Sequence, residues 1–112
     1  MSEKKWTSGP WELMNGGDIF GPHGGDSGDG VSCDDSDGWQ VAEVGFYESF
    51  VDGTPAELGR ECRAANISLI AAAPDLYEAL EAFVNNSSVQ VNNPVECERA
   101  EIALAKARGE QQ

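Results

Sequence analysis

Eleven of the thirteen glycines and all three tryptophans fall within residues 1–56 of this 112-residue chain. The other half is rich in Ala, Leu and Glu. Strand-and-turn composition followed by helix composition predicts an α+β fold, not a βαβ repeat. The length fits one domain spanning 1–112, β-rich over 1–53 and helical over 54–112. No internal repeat is visible. The expected architecture is a small antiparallel sheet of three or four strands, followed by two or three C-terminal helices packed on it.

The strands are short. Trp11-Glu12-Leu13-Met14 follows the Gly9-Pro10 breaker, and Asn15-Gly16-Gly17-Asp18 supplies residues that accept positive φ at a hairpin turn. Ile19-Phe20 begins the return strand. The strongest β signal runs from Trp39 to Phe46, launched by Asp37-Gly38. Val41 and Val44 differ in parity, which predicts a bulge near Ala42-Glu43. Between these strands, residues 21–38 are Gly/Asp-rich and carry Asp26, Asp29, Asp34, Asp35 and Asp37 with almost nothing to bury. They read as a long, mobile, acidic loop. A calcium loop does not fit. The nearest EF-hand register starts at Cys33 and ends on Val44, so the first ligand and the terminal bidentate Glu are both missing.

Thr54-Pro55-Ala56-Glu57 carries the signals of a helix start: a Thr cap, Pro at the first position and Glu three residues after the cap. Leu58, Cys62, Ala65, Leu69 and Ala73 follow at helical spacing, with Asn66 and Ile70 alongside. Pro74 ends or kinks this helix and suits the first turn of the next, with Asp75 at its positive end. Leu76, Tyr77, Leu80, Phe83 and Val84 form the second apolar face. Asn85-Asn86-Ser87-Ser88 breaks it. Asn93-Pro94-Val95-Glu96 opens a third helix through about Arg108, closed by Gly109, with a thin face of Val95, Ile102 and alanines. The expected core is Trp11, Val41, Val44, Phe46, Leu58, Leu69, Ile70, Leu76, Leu80 and Phe83. Strand edges and the thin third helix would leave apolar surface uncovered on so small a chain, which predicts a homo-oligomer.

Twenty acids against seven bases give a net charge of −13. That excludes direct nucleic-acid binding by phosphate neutralisation over the whole surface and disfavours an anionic membrane. No apolar run approaches the ~18–20 residues of a membrane span. The start has lysines but no hydrophobic region after them, so a cytoplasmic protein is expected. Cys33, Cys62 and Cys97 read as free thiols. With His23 as the only histidine, neither a zinc site nor a hydrolase triad is expected. No metal, no cofactor and no enzymatic activity are predicted.

Two sets of residues have both a structural and a functional reading. The five loop aspartates are either a solubilising surface or an imitation of a phosphate track. Arg60, Arg63, Asn66, Trp39 and Tyr77 form the second set. The arginines lie one turn apart and would pair with Glu57 or Glu61, or act as phosphate forks. Asn66 should face inward, tying helix to sheet or reading a ligand edge. Trp39, like Trp6 and Trp11, would be a core or rim aromatic, or a stacking platform. Cys62 and Tyr77 should be buried on apolar faces, with the Tyr77 hydroxyl reaching the edge.

Three segments, Thr7-Ser8-Gly9-Pro10-Trp11, Asp37-Gly38-Trp39-Gln40-Val41-Ala42 and the helical run from Ala65 to Leu80 (ANISLIAAAPDLYEAL), resemble small phage and prophage accessory proteins. In that class a GPW start precedes a small sheet and a helical pair like ANARLIAAAPELLEAL follows. The chain departs from the pattern in its 21–38 loop and in Ile67-Ser68. The resemblance implies a phage gene product of the host-takeover or counter-defence kind, working in the cytoplasm of the bacterial host. Two activities fit. One is an anti-CRISPR-like inhibitor whose acidic surface occupies a host defence or nucleic-acid-binding protein. The other is a sponge that holds a cyclic or linear nucleotide second messenger between protomers.

Overall fold

The computed structural model describes residues 6–45 and 48–110. It is an α+β fold with two small antiparallel sheets followed by helices. β1 (Glu12–Met14), β2 (Asp18–Phe20) and β3 (Gln40–Glu43) form the first sheet in that order. Asn15 at φ 52° and Gly16 at φ 78° turn β1 into β2, as that dipeptide predicts. Ile19 on β2 is fully buried and sits between Leu13 and Ala42. The bulge exists but lies one residue earlier than expected. Ile19 pairs with Ala42 and Phe20 with Gln40, leaving Val41 as the extra residue.

β4 (Glu48–Val51) and β5 (Thr54–Glu57) form a separate two-stranded hairpin. Residues 54–57 are therefore not a helix start, and the helical part begins six residues after Thr54. Asp52 at φ 51° and Gly53 at φ 78° give the two positive φ values of a type I′ turn. Val51 and Thr54 flank this turn and pair. Phe50 and Pro55 are the next, non-hydrogen-bonded pair, so the missing Pro55 N–H breaks no ladder bond.

α1 (Arg60–Ala71) starts from an extended Gly59, and α2 (Ala73–Val84) has Pro74 and Asp75 in its first turn. The Asn85–Ser88 break is real but short. Asn86 caps α3 (Ser87–Asn92) by accepting from the Ser88 and Val89 amides at 2.9 and 3.3 Å. α4 (Pro94–Ala107) has Pro94 in its first turn, and Gly109 beyond it lies at φ 80°. No helix among the described residues is long and apolar enough to cross a membrane.

The main core lies among the helices, not between helices and sheet. Tyr77, Val84, Cys97, Ala100 and Leu104 form it, with Trp6, Leu80 and Phe83 packed against it. Trp6 meets Tyr77 edge-on, ring centroids 4.6 Å apart. Several expected core residues are displaced. Leu58, Leu69 and Leu76 are exposed, the last two at 63% and 53%, while Trp11, Val41, Val44 and Ile70 are half-buried. Phe46 lies outside the described residues. The inward face of α1 is Arg63, Ile67 and Ile70, a step around the helix from the expected one, so Cys62 and Asn66 face outward. On α4 the inward residues are Cys97, Ala100 and Leu104, while Val95 and Ile102 are exposed. All three cysteines are free thiols.

Candidate functional site

Residues 21–38 are folded, contrary to the expectation of a mobile loop. The Gly24 amide donates to the carbonyls of Asp34 and Asp37, Ser27 to Val31 and Cys33 to Gly25. Asp26 and Ser32 form an isolated bridge. The loop is held from both sides. The Thr7 hydroxyl donates to Ser27 O at 2.8 Å, the Ser8 amide to Asp26 O at 3.0 Å, and the Trp39 indole to Gly25 O at 3.1 Å. Gly38 permits the closure, because a Cβ there would stand 2.3 Å from Gly21 O. Backbone bonding, not apolar burial, orders this segment.

The five aspartates divide on this scaffold. Asp26 is half-buried, and its carboxylate accepts the Gly28 amide at 2.8 Å, a local turn contact. Asp29 is exposed and accepts from the Ser27 hydroxyl. Asp34, Asp35 and Asp37 are exposed on the far turn, where Asp34 O also accepts the Asp37 amide. No lysine or arginine occurs from residue 6 to residue 59, against eleven acids in the same stretch. The sheet half is therefore strongly negative in its own residues. Among the described residues no three of His, Cys, Asp or Glu are grouped as a metal would require.

The second candidate set does not converge on one cavity among the described residues. Trp39 is committed to the loop. Arg60 is exposed on the first turn of α1, and Asn66 is exposed instead of facing inward. Arg63 turns toward the sheet, where its guanidinium donates to Gly45 O at 3.0 Å and to Val44 O, at the end of β3. It joins helix to sheet, a role the sequence assigned to Asn66. The concavity it lines is shared with Asp18 and Glu43, whose charge opposes a phosphate.

Tyr77 is buried in the helical core with its hydroxyl at the edge, where it accepts from Arg108 at 2.9 Å. Arg108 also binds Glu110 at 2.9 Å, and these two partners, Glu110 first, raise its pKa above the ordinary guanidinium value. Arg108 carried no recognisable signal in the sequence. Tyr77 further lines a recess of about 200 Å³ with Trp6, Trp11 and Pro74.

The segments behind the family resemblance are joints of the fold. Gly9 packs so closely on Pro74 that a Cβ would stand 2.8 Å from the Pro74 Cβ, which brings the GPW start onto the break between α1 and α2. Gly38-Trp39 closes the loop. No curated protein and no solved structure matches the chain. A family model does, over residues 1–111, and the chain belongs to that family, described as Salmonella phage P22 protein Y8K6.

Proposed function

We propose that this phage protein is a non-enzymatic inhibitor that works in the cytoplasm of the infected host. Its acidic loop docks on the basic groove of a host defence or nucleic-acid-binding protein. The observation that carries this reading is order: Asp29, Asp34, Asp35 and Asp37 stand exposed on a hydrogen-bonded scaffold, in a stretch without a lysine or arginine. Charges held in place before binding lose less freedom on docking than charges on a mobile chain. They also steer a basic partner into contact over distances comparable to the Debye length. The scatter of Arg60, Arg63, Asn66, Trp39 and Tyr77 favours this reading over nucleotide sequestration.

The test replaces Asp29, Asp34, Asp35 and Asp37 with asparagine and leaves Asp26 to its turn. Stability should stay within about 0.5 kcal/mol of the parent, as for exposed sites. The parent protein is used to capture partners from infected-host lysate, and the captured protein is then purified. Its association with parent and variant is measured at rising salt, with duplex DNA as competitor. The expected result is a basic partner, competition by DNA, and a slower on-rate for the variant. Equal association of parent and variant, or indifference to DNA, would overturn the proposal.

A further inference from the structure

The β4–β5 hairpin stands away from the body. Among the described residues its strands pack on each other and make no substantial contact with any other element. Near its tip Phe50 is 71% exposed and Val51 60%. Isolated two-stranded hairpins are marginal in water, and an aromatic this exposed gains nothing from folding. Elsewhere on the same chain lies an apolar trough between α1, α2 and α4. Leu69, Leu76, Leu80, Ala103, Leu104 and Ala107 line it around about 370 Å³. An apolar knob and an apolar trough are thus present on one chain.

The overall dimensions agree. The chain exposes 7992 Å², where a compact monomer of 11.9 kDa would expose ~6,000 Å². Its radius of gyration is 17.3 Å, against about 13 Å for a compact chain of roughly 100 residues. The surplus of ~2,000 Å² is more than the ~800 Å² that each partner contributes to a standard interface. The charge around the trough is mixed: Glu96 is exposed on the same face of α4, seven positions before Ala103, and α2 carries Asp75, Glu78 and Glu81. The hairpin carries Glu48, Asp52 and Glu57 and no base. On α4, Arg99 and Lys106 are exposed four and three positions from the trough residue Ala103, on the same helix face. Each copy carries a net charge of −13, and the repulsion between copies is screened at physiological salt.

We propose that the occupant of the trough is the hairpin arm of a second copy of this chain, and that the exchange is reciprocal. Phe50 of each copy enters the trough between Leu69, Leu76 and Leu80 of the other, while the acidic arm lies along Arg99 and Lys106. Reciprocity closes the assembly as a two-fold dimer, because the same two surfaces are used on both copies. The acidic loop takes no part, so this assembly and the inhibitor reading stand or fall separately.

Sedimentation equilibrium at micromolar concentration tests it. The full chain should be a dimer. Phe50→Ser on the arm and Leu76→Glu in the trough should each raise the dissociation constant by about tenfold or more, as loss of an anchor residue does. Both side chains are exposed within one copy, so the circular dichroism spectrum should not change. Leu69→Glu repeats the trough test at a second exposed position. Mixing Phe50→Ser with Leu76→Glu leaves one intact arm facing one intact trough, and the mixture should sediment heavier than either variant alone. A monomeric parent, a dimer indifferent to both substitutions, or a mixture no heavier than its components would overturn the proposal.

Discussion

Replacing Arg63 with alanine should detach α1 from the sheet, and the size of the effect can be worked from the contacts. The guanidinium donates to Val44 O and, at 3.0 Å, to Gly45 O. Hydrogen bonds from charged donors contribute about 1.5–3 kcal/mol each. Both acceptor residues are half-buried, so water recovers part of the loss. The net cost should be about 2–3 kcal/mol. That is a large share of the roughly 6–17 kcal/mol expected for a chain of this length. Lysine keeps the charge but not the planar fork, and should recover only part of the loss. Gly17 supplies an internal check. A Cβ there would stand 2.7 Å from both Val44 O and the Arg63 Nη2. Gly17→Ala should therefore destabilise by about 1–3 kcal/mol. Combined with Arg63→Ala it should cost less than the sum, since one of the two clashes is gone. Urea unfolding followed by circular dichroism reads all four variants, with an unchanged denaturant slope as the control. Arg63→Ala within about 0.5 kcal/mol of the parent, or strict additivity with Gly17→Ala, would refute the joint.

Two further outcomes are expected. Leu104→Ala, in the helical core, should lower unfolding free energy by about 2–5 kcal/mol, whereas Leu76→Ala should stay within about 1 kcal/mol. Both are measured in the Phe50→Ser background, where the proposed dimer contact is absent. Gly38→Ala places a Cβ against the backbone carbonyl of Gly21, which has no side-chain freedom with which to yield. Amide exchange at Gly24 and Cys33, both hydrogen-bonded within the loop, should then accelerate; unchanged protection would show that Gly38 does not close the loop.

Local stereochemistry was legible in the chain. Asn15-Gly16 turns β1 into β2, Pro74 separates two helices, and Pro94 and Gly109 bracket the last one, because each acts through its own backbone. Residues 52–57 hold two local signals in conflict. Thr54-Pro55-Ala56-Glu57 has the form of a helix cap, while Asp52-Gly53 has the form of a type I′ turn. The turn prevails because it needs only its own two residues and the strands beside them, whereas a helix this close to its start depends on packing further along. Helix phase was harder to read. Alanines surround α1, so a face built on Cys62, Ala65 and Leu69 is nearly as apolar as the true one. The two carbonyls at the end of β3 decide it by holding Arg63 inward. On α4 the larger side chains, Val95 and Ile102, drew the expected face away from Cys97, Ala100 and Leu104. Small residues at a helix contact let the partners approach closely, and a ranking by hydrophobicity alone does not see that.

The candidate site divides along the same line. Its charge was legible, since each Asp is visible in the chain, but its order was not. Glycine and aspartate in a stretch of eighteen residues predict nothing to bury, and nothing large is buried there. What composition omits is the backbone. Its amides and carbonyls pair as Gly24 with Asp34, Ser27 with Val31 and Cys33 with Gly25, and Thr7, Ser8 and Trp39 hold the loop from outside. Those three residues lie in or beside the segments that carry the family resemblance. These contacts hold the loop in place, and Asp29, Asp34, Asp35 and Asp37 stand exposed on it. For charges that act on a basic surface as proposed, such a frame keeps their field in place, because groups ordered before docking lose less freedom on docking.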